Sequence, residues 1–231
     1  MTAKVVEVPS WSHSSMSTFR NCPKQYWHLK VERDIQESQN EAATWGNAVH
    51  EKIELRLKLG PLDGALPDEF VMYEAYCQAI ERCAGTMYVE EQLALTENLT
   101  PCNWYDSKAW VRAIIDVMHL DGTTARLMDH KTGKRKTDSR QLKLSALMVF
   151  HTYPNVMTIK TGFFWLKENA RDIETYTRDQ IPALWESFRG DLNAFKTAFA
   201  TNTWQPRESG LCKGWCPVKS CMFWEPKREK K

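Results

Sequence analysis

Residues 110–146, WVRAIIDVMHLDGTTARLMDHKTGKRKTDSRQLKLSA, carry the reading on which the rest of the chain depends. Val111 to Leu120 is rich in β-branched and apolar side chains, Asp121-Gly122 is a strong turn signal, and Ala125 to Lys131 resumes an extended pattern. Together they predict a β-hairpin. Side chains alternate across a strand, so Asp129 and Lys131 share one face while Met128 and His130 take the other. In a suitable register Asp116, on the first strand, joins them. Two neighbouring carboxylates resist double ionisation unless positive charge sits between them, and a hard divalent cation such as Mg2+ with oxygen ligands supplies it. With Lys131 alongside, the layout suits hydrolysis of a phosphodiester.

An Asp-x-Lys triplet alone is common on solvated strand faces. Asp116 says more, because it interrupts Ala113-Ile114-Ile115 and Val117-Met118, and an acid in so apolar a strand is costly to bury unless paired or bound to metal. It is either a ligand or an outward-facing residue on an exposed sheet face. Downstream, Lys131, Lys134, Arg135, Lys136, Arg140 and Lys143 form the densest basic run in the chain. Charge runs are usually only solvated, but one adjoining a carboxylate pair suits a phosphate backbone. Lys134, Arg135, Lys136, Arg140 and Lys143 are therefore candidate DNA contacts. Gly133-Lys134 is no P-loop, since no glycine precedes it at the required spacing.

Outward from this core, Met87 to Leu95 predicts the strand that begins the sheet, Ser139 to His151 a helix, Val156 to Leu166 a strand, and Asp172 to Thr177 an edge extension. Glu41 to Leu59 predicts an amphipathic helix with Val49, Ile53 and Leu57 as its stripe, stopped by Gly60-Pro61. His50 lies beside that stripe, with Glu54 on the same face within hydrogen-bonding reach. A lone histidine there is more often structural than a ligand, unless it couples to Asp116 and Asp129. Glu69 to Ala84 and Ile181 to Ala200 are also helical. Ser15 to Lys30 places Phe19, Cys22, Tyr26 and Leu29 on one helix side, with Pro23 marking either a kink or a new first turn. The order predicts an α/β protein with a mixed sheet flanked by helices. The charged tail Lys227 to Lys231 is expected to fray.

With 231 residues, 42% of them hydrophobic and ten tryptophans, the chain can bury a large core, and one principal domain over 1–231 is expected. A net charge of +2 requires any nucleic-acid contact to come from local clusters. No segment has a signal-peptide core or the roughly 18 apolar residues of a membrane span, so a cytoplasmic protein without membrane contact is expected. Seven cysteines in such a chain argue for thiols or metal ligands rather than disulfides. Cys212, Cys216 and Cys221 lie within ten residues, a strong signal for Zn2+ or iron. A fourth ligand must come from Cys22, Cys77, Cys83 or Cys102. Cys22, followed by proline as Cys216 is, is the best placed, and would tie the two ends of the chain together.

In order, SMSTFRNCPKQY, WGNAVHEKIE, AIIDV, LMDHKTGK, QLKLSA and three clustered cysteines with CPV resemble the PD-(D/E)XK nucleases of the RecB type. More narrowly they resemble its iron-sulfur branch, which includes CRISPR spacer-acquisition exonucleases, the AddB nuclease domain and phage exonucleases. The resemblance implies a restriction-endonuclease-like core and a metal-dependent DNA exonuclease acting at DNA ends in recombination, repair, replication or CRISPR-type processing. It implies His50, Asp116 and Asp129 as ligands of Mg2+ or Mn2+, Lys131 as the catalytic lysine, and Gln141 as the glutamine that helps hold the lysine or the DNA. It further implies a [4Fe-4S] cluster on Cys22, Cys212, Cys216 and Cys221, held in a subdomain of residues 15–30 and 205–224. The family's usual last cysteines read Cys-x2-Cys-x5-Cys, where this chain has gaps of three and four. Ser145 stands where tyrosine is usual, and Ala113 where glycine is frequent.

Expected partners are DNA, single-stranded or bearing an end, and recombination, replication or CRISPR adaptation proteins; the compartment is bacterial cytoplasm, or host cytoplasm if phage-encoded. A second reading keeps the fold and cluster but makes the protein a catalytically idle DNA-binding adaptor acting through a partner. A third makes the cysteines a structural Zn2+ site and the acids surface residues.

Overall fold

The hairpin of residues 111–131 sits inside a six-stranded sheet, in a computed structural model that describes residues 8–36, 41–135 and 138–226. Lys136 and the tail Lys227 to Lys231 lie outside those residues. The strands are β1 (Thr86–Thr96), β2 (Pro101–Cys102), β3 (Ala109–Asp121), β4 (Thr124–Lys131), β5 (Thr158–Trp165) and β6 (Ala170–Thr177), in the order β2-β1-β3-β4-β5-β6. All neighbours pair antiparallel except β4 and β5, which are parallel and joined through the helix α5 (Arg140–Thr152). The sheet is therefore mixed. The turn at Asp121-Gly122 forms as read, with Gly122 at φ 59, a left-handed conformation that glycine adopts without a Cβ clash.

The chain forms two units, one of Asn40–Trp185 and one of Met1–Gln39 with Glu186–Lys231. In the first unit helices cover both faces of the sheet. The stripe of α3, a helix within Glu41–Asp63 that breaks at Gly60 (φ 78), buries Val49, Ile53 and Leu57. These join Cys77 and Ile80 of α4 (Glu74–Glu81) and the strand residues Val117 and Met128 in one cluster. Each such side chain, fully buried, stabilises by about 1.5–3 kcal/mol. Residues 69–73, read as the start of that helix, belong to a 3-10 turn over Asp68–Tyr73 instead. On the other face, Leu142 of α5 packs with Phe163 and Trp165, while Phe164 between them packs against the α3–α4 cluster. That alternation puts the two helical layers on opposite sides. α5 is buried almost all round, from Leu144 to Phe150. The two-residue β2 pairs with the end of β1 at the edge of the sheet.

In the second unit, Ser12 caps α1 (His13–Asn21) through a capping box with Ser15. Pro23 opens a new first turn rather than a kink: Cys22 is extended and caps α2 (Pro23–Tyr26), which continues as a π-helix over Trp27–Glu32. Phe19 and Tyr26 meet Phe195, Phe199 and Trp204 mostly edge-on, at centroid distances of 5.0–6.4 Å. Such pairings favour the positive ring edge over the negative ring face. Phe195 and Phe199 belong to α6 (Ile181–Thr201).

Candidate active site

The centre forms where the β3–β4 ladder ends. Pairing runs from Asp121–Thr124 to Val117–Met128 and stops. At the next position the Asp116 carboxylate accepts the backbone N–H of His130 at 2.8 Å, so a side chain replaces a ladder bond and leaves the strands open. Asp116 is only 12% exposed, so it is not an outward-facing residue on an exposed sheet face. From α3, His50 brings Nδ1 to 3.5 Å from the same carboxylate. Its expected partner Glu54 instead pairs with Lys58 at 2.7 Å, an i,i+4 ion pair along the helix.

A further acid comes from β1. The register that pairs Val89 with Val117 and Glu91 with Ile115 brings Glu90 opposite Asp116, and Glu90 has a left-handed φ of 55. A non-glycine residue there costs about 1–2 kcal/mol. Ligand atoms of His50, Glu90 and Asp116 lie within 4.8 Å of one another, a set of one nitrogen and two oxygens able to hold a divalent cation. Sequence reasoning missed Glu90. The signal available was the Glu90-Glu91 pair inside the strand Met87 to Leu95, but choosing between them needed the register.

Asp129 lies beside this set on β4. Its carboxylate is engaged by the Lys131 ammonium and by the Gln141 side-chain amide, and the Gln141 carbonyl accepts from Lys131 Nζ at 3.0 Å. Lys131 also lies over the Phe163 ring, 5.1 Å from its centroid. Asp129, Lys131 and Gln141 thus form a closed triangle on the α5 face, as the alternation predicts. On the opposite face His130 Nδ1 bonds the Tyr76 hydroxyl at 2.8 Å. Burial drives the His130 imidazole down to about 4, keeping it neutral.

The acids show the strain of their proximity. Burial, then the charges of Asp116 and Glu54, push Glu90 up to about 7. Burial and the Asp116 charge also raise Asp129, against the opposing pull of Lys131. A cation among them would relieve both shifts.

The basic run is divided. Lys134 is exposed, whereas Arg135 forks onto Asp172 of β6, which also accepts the Trp165 indole N–H at 2.7 Å. Arg140 and Lys143, both half-buried, lie on the first turn of α5. In the other unit Cys22, Cys212, Cys216 and Cys221 line one small cavity. Cys22 Sγ accepts the backbone N–H groups of Gln25 and Arg207, each at 3.4 Å. Cys77, Cys83 and Cys102 belong to the sheet unit.

A mixed sheet opened over converging acids, with an amine two residues past the last of them, fits a nuclease. The chain belongs to the PD-(D/E)XK nuclease superfamily, whose sequence profile matches residues 10–221. Among solved structures, a candidate exonuclease from Eubacterium rectale is 13% identical, aligns over 89% of this chain and 86% of its own, and superposes with a TM-score of 0.55. At that identity the likeness is one of fold. SSO0001, also 13% identical over 94% of this chain and 87% of its own, superposes with a TM-score of 0.40. No curated protein matches. Among the described residues, no helix is long and apolar enough to cross a membrane.

Proposed function

We propose that the protein is a DNA exonuclease dependent on Mg2+ or Mn2+, which hydrolyses phosphodiester bonds at DNA ends. The observation that carries this is the alignment of Glu90, Asp116 and Asp129 on three adjacent strands, with Lys131 and Gln141 closing on Asp129. His50, Glu90 and Asp116 fit a divalent ion by their donor chemistry, with Asp129 at hand; His50 favours manganese over the harder magnesium. When bound, such an ion polarises the phosphate and lowers the pKa of an attacking water. In the hydrolysis the water oxygen bonds to phosphorus as the bond to the departing sugar oxygen breaks. Lys131, released from Asp129 by the incoming phosphate, meets the negative charge that develops. Gln141 fixes both partners of that exchange. Lys134, Arg140 and Lys143 supply backbone contacts, while Arg135 anchors its loop through Asp172.

The four thiols around one cavity suit a soft metal centre, and we assign it as a [4Fe-4S] cluster, with Zn2+ as the competing occupant. Colour and metal analysis after anaerobic purification separate the two, since a zinc protein is colourless.

A time course on DNA labelled at either end, in Mg2+ and in Mn2+, tests the activity. Progressive shortening lost in Asp129→Ala and Lys131→Ala supports the reading. DNA ends bound but never shortened in any divalent metal would replace it with the adaptor.

A further inference from the structure

We propose that the cleft between α4 and the β5–β6 hairpin is a binding groove for single-stranded polynucleotide, seating the unpaired strand that adjoins the phosphodiester centre. The inference rests on the nuclease reading and deepens it by naming the form of the substrate.

The cleft measures about 1330 Å3, above the roughly 300–1,000 Å3 of small-molecule pockets, so its size suits a chain of linked units. It lies against Met128 of β4 and the last residues of β5, the strand end at which Lys131 pairs with Trp165. Tyr76 in its wall bonds His130, and the backbone N–H of His130 is held by Asp116. The groove and the acids therefore share a wall.

Three half-buried aromatic rings, Trp45, Tyr76 and Phe164, line it. Trp45 is stacked on Phe70 at 5.0 Å with planes 14° apart, which fixes its plane in advance of any ligand. Lys167 and Arg171 are exposed in the same wall, and neither has an ion-pair partner among the described residues. Among the described residues, no carboxylate lines the cleft. A polyanion that also presents flat aromatic faces is a single-stranded nucleic acid, whose bases stack on rings while its phosphates meet cations. Duplex DNA keeps its base faces stacked inside the helix and cannot use the rings.

The test uses the whole protein in EDTA, where strand binding is read without cleavage. A fluorescent single-stranded oligonucleotide is titrated into wild type and Lys167→Gln/Arg171→Gln across a salt series. The double variant should bind roughly 10-fold more weakly, and its log K against log salt should be shallower by about 1.4, two contacts at about 0.7 each. A photoreactive iodouracil oligonucleotide should crosslink to Trp45, Tyr76 or Phe164. Equal affinity and slope, or crosslinks confined to residues outside the cleft, would overturn the groove. Unchanged oligonucleotide binding with altered sedimentation of the variant would also overturn it, assigning the surface to a second copy of the chain. Hydrolysis of the p-nitrophenyl ester of thymidine 5′-phosphate by wild type, with Mg2+ or Mn2+, reports the catalytic centre without a strand. Its failure would count against the nuclease reading and leave the EDTA measurements to decide the groove.

Discussion

Asp116 accepts the backbone N–H of His130 at 2.8 Å at the point where β3 and β4 part, so one carboxylate does the work of a ladder bond while lying within reach of Glu90 and His50. Structure and charge can be separated there. Asn keeps an acceptor for His130 but loses the charge. Asp116→Asn should fold with a melting temperature near wild type, yet lose on the order of 10^3-fold in DNA cleavage. Asp116→Ala also orphans the N–H and should be about 1–3 kcal/mol less stable. Comparing denaturant midpoints with cleavage rates for the pair checks this; equal stability in both variants would remove the structural half of the argument.

Glu90 holds a left-handed backbone while facing the other acids. A residue kept strained beside a charged cluster suggests that placement of its carboxylate outweighs the strain. Glu90→Gly should therefore stabilise the fold by about 1 kcal/mol while weakening metal binding. Glu90→Gln should weaken the metal without the gain in stability. Calorimetric titration with Mn2+ and thermal melts of both variants read the two effects apart.

Gln141 bridges Asp129 and Lys131, donating to one and accepting from the other. With both ends of its amide engaged by that pair, Gln141→Ala should lower the cleavage rate about 10–100-fold, less than Lys131→Ala at about 10^2–10^3. Lys131→Arg should not restore activity, because a planar fork cannot take the place of a compact ammonium between Asp129 and Phe163. Single-turnover rates at saturating metal distinguish these orders.

Much of this was legible in the chain because it is local. Alternation fixed the shared face of Asp129 and Lys131, and an acid inside an apolar strand marked Asp116. The loop with Arg135 and the strand with Glu90 were harder, since their roles depend on pairing across the sheet. Arg135 looks like a free cation until β6 brings Asp172 to it, and Glu90 looks like surface until β1 meets β3 in register. His50 was ambiguous for the same reason: on the helix alone Glu54 was the nearer acid, and only packing of α3 on the sheet turns the ring to Asp116.

Arg56 is 1% exposed and its guanidinium is held by Glu74 and Glu81, at 2.6–2.8 Å for the three closest bonds. Removing it leaves two carboxylates facing each other, but both are partly exposed and water screens them. Arg56→Met should cost about 2–3 kcal/mol. The fork holds the Glu74 carboxyl below its ordinary value of 4.5, so the folded state binds that proton more weakly than the unfolded chain. Its stabilisation is complete above that ordinary value and is lost as pH falls through the lower, folded one. Melting curves from about pH 7 down to pH 3 should drop steeply at the acid end in wild type and less steeply in Arg56→Met.

Cys22 stands between α1 and α2 in the second unit, capping α2 while its sulfur takes N–H bonds from Gln25 and Arg207 and lines one cavity with Cys212, Cys216 and Cys221. Burial pushes the Cys216 thiol up, and the three neighbouring sulfurs add to that shift, so Cys216 is a poor acid until a cation arrives. Metal binding there would release protons and become folding energy for the segments it joins. Cys22→Ser keeps a capping oxygen for α2 but removes one soft ligand. The variant should lose visible absorbance and iron after anaerobic purification, and limited proteolysis should open new cuts within residues 203–226. Cys77→Ser, in the core of the other unit, should keep its colour. If Cys22→Ser retains full iron and the wild-type cleavage pattern, the assignment of Cys22 as the fourth ligand fails, whichever metal the remaining cysteines bind.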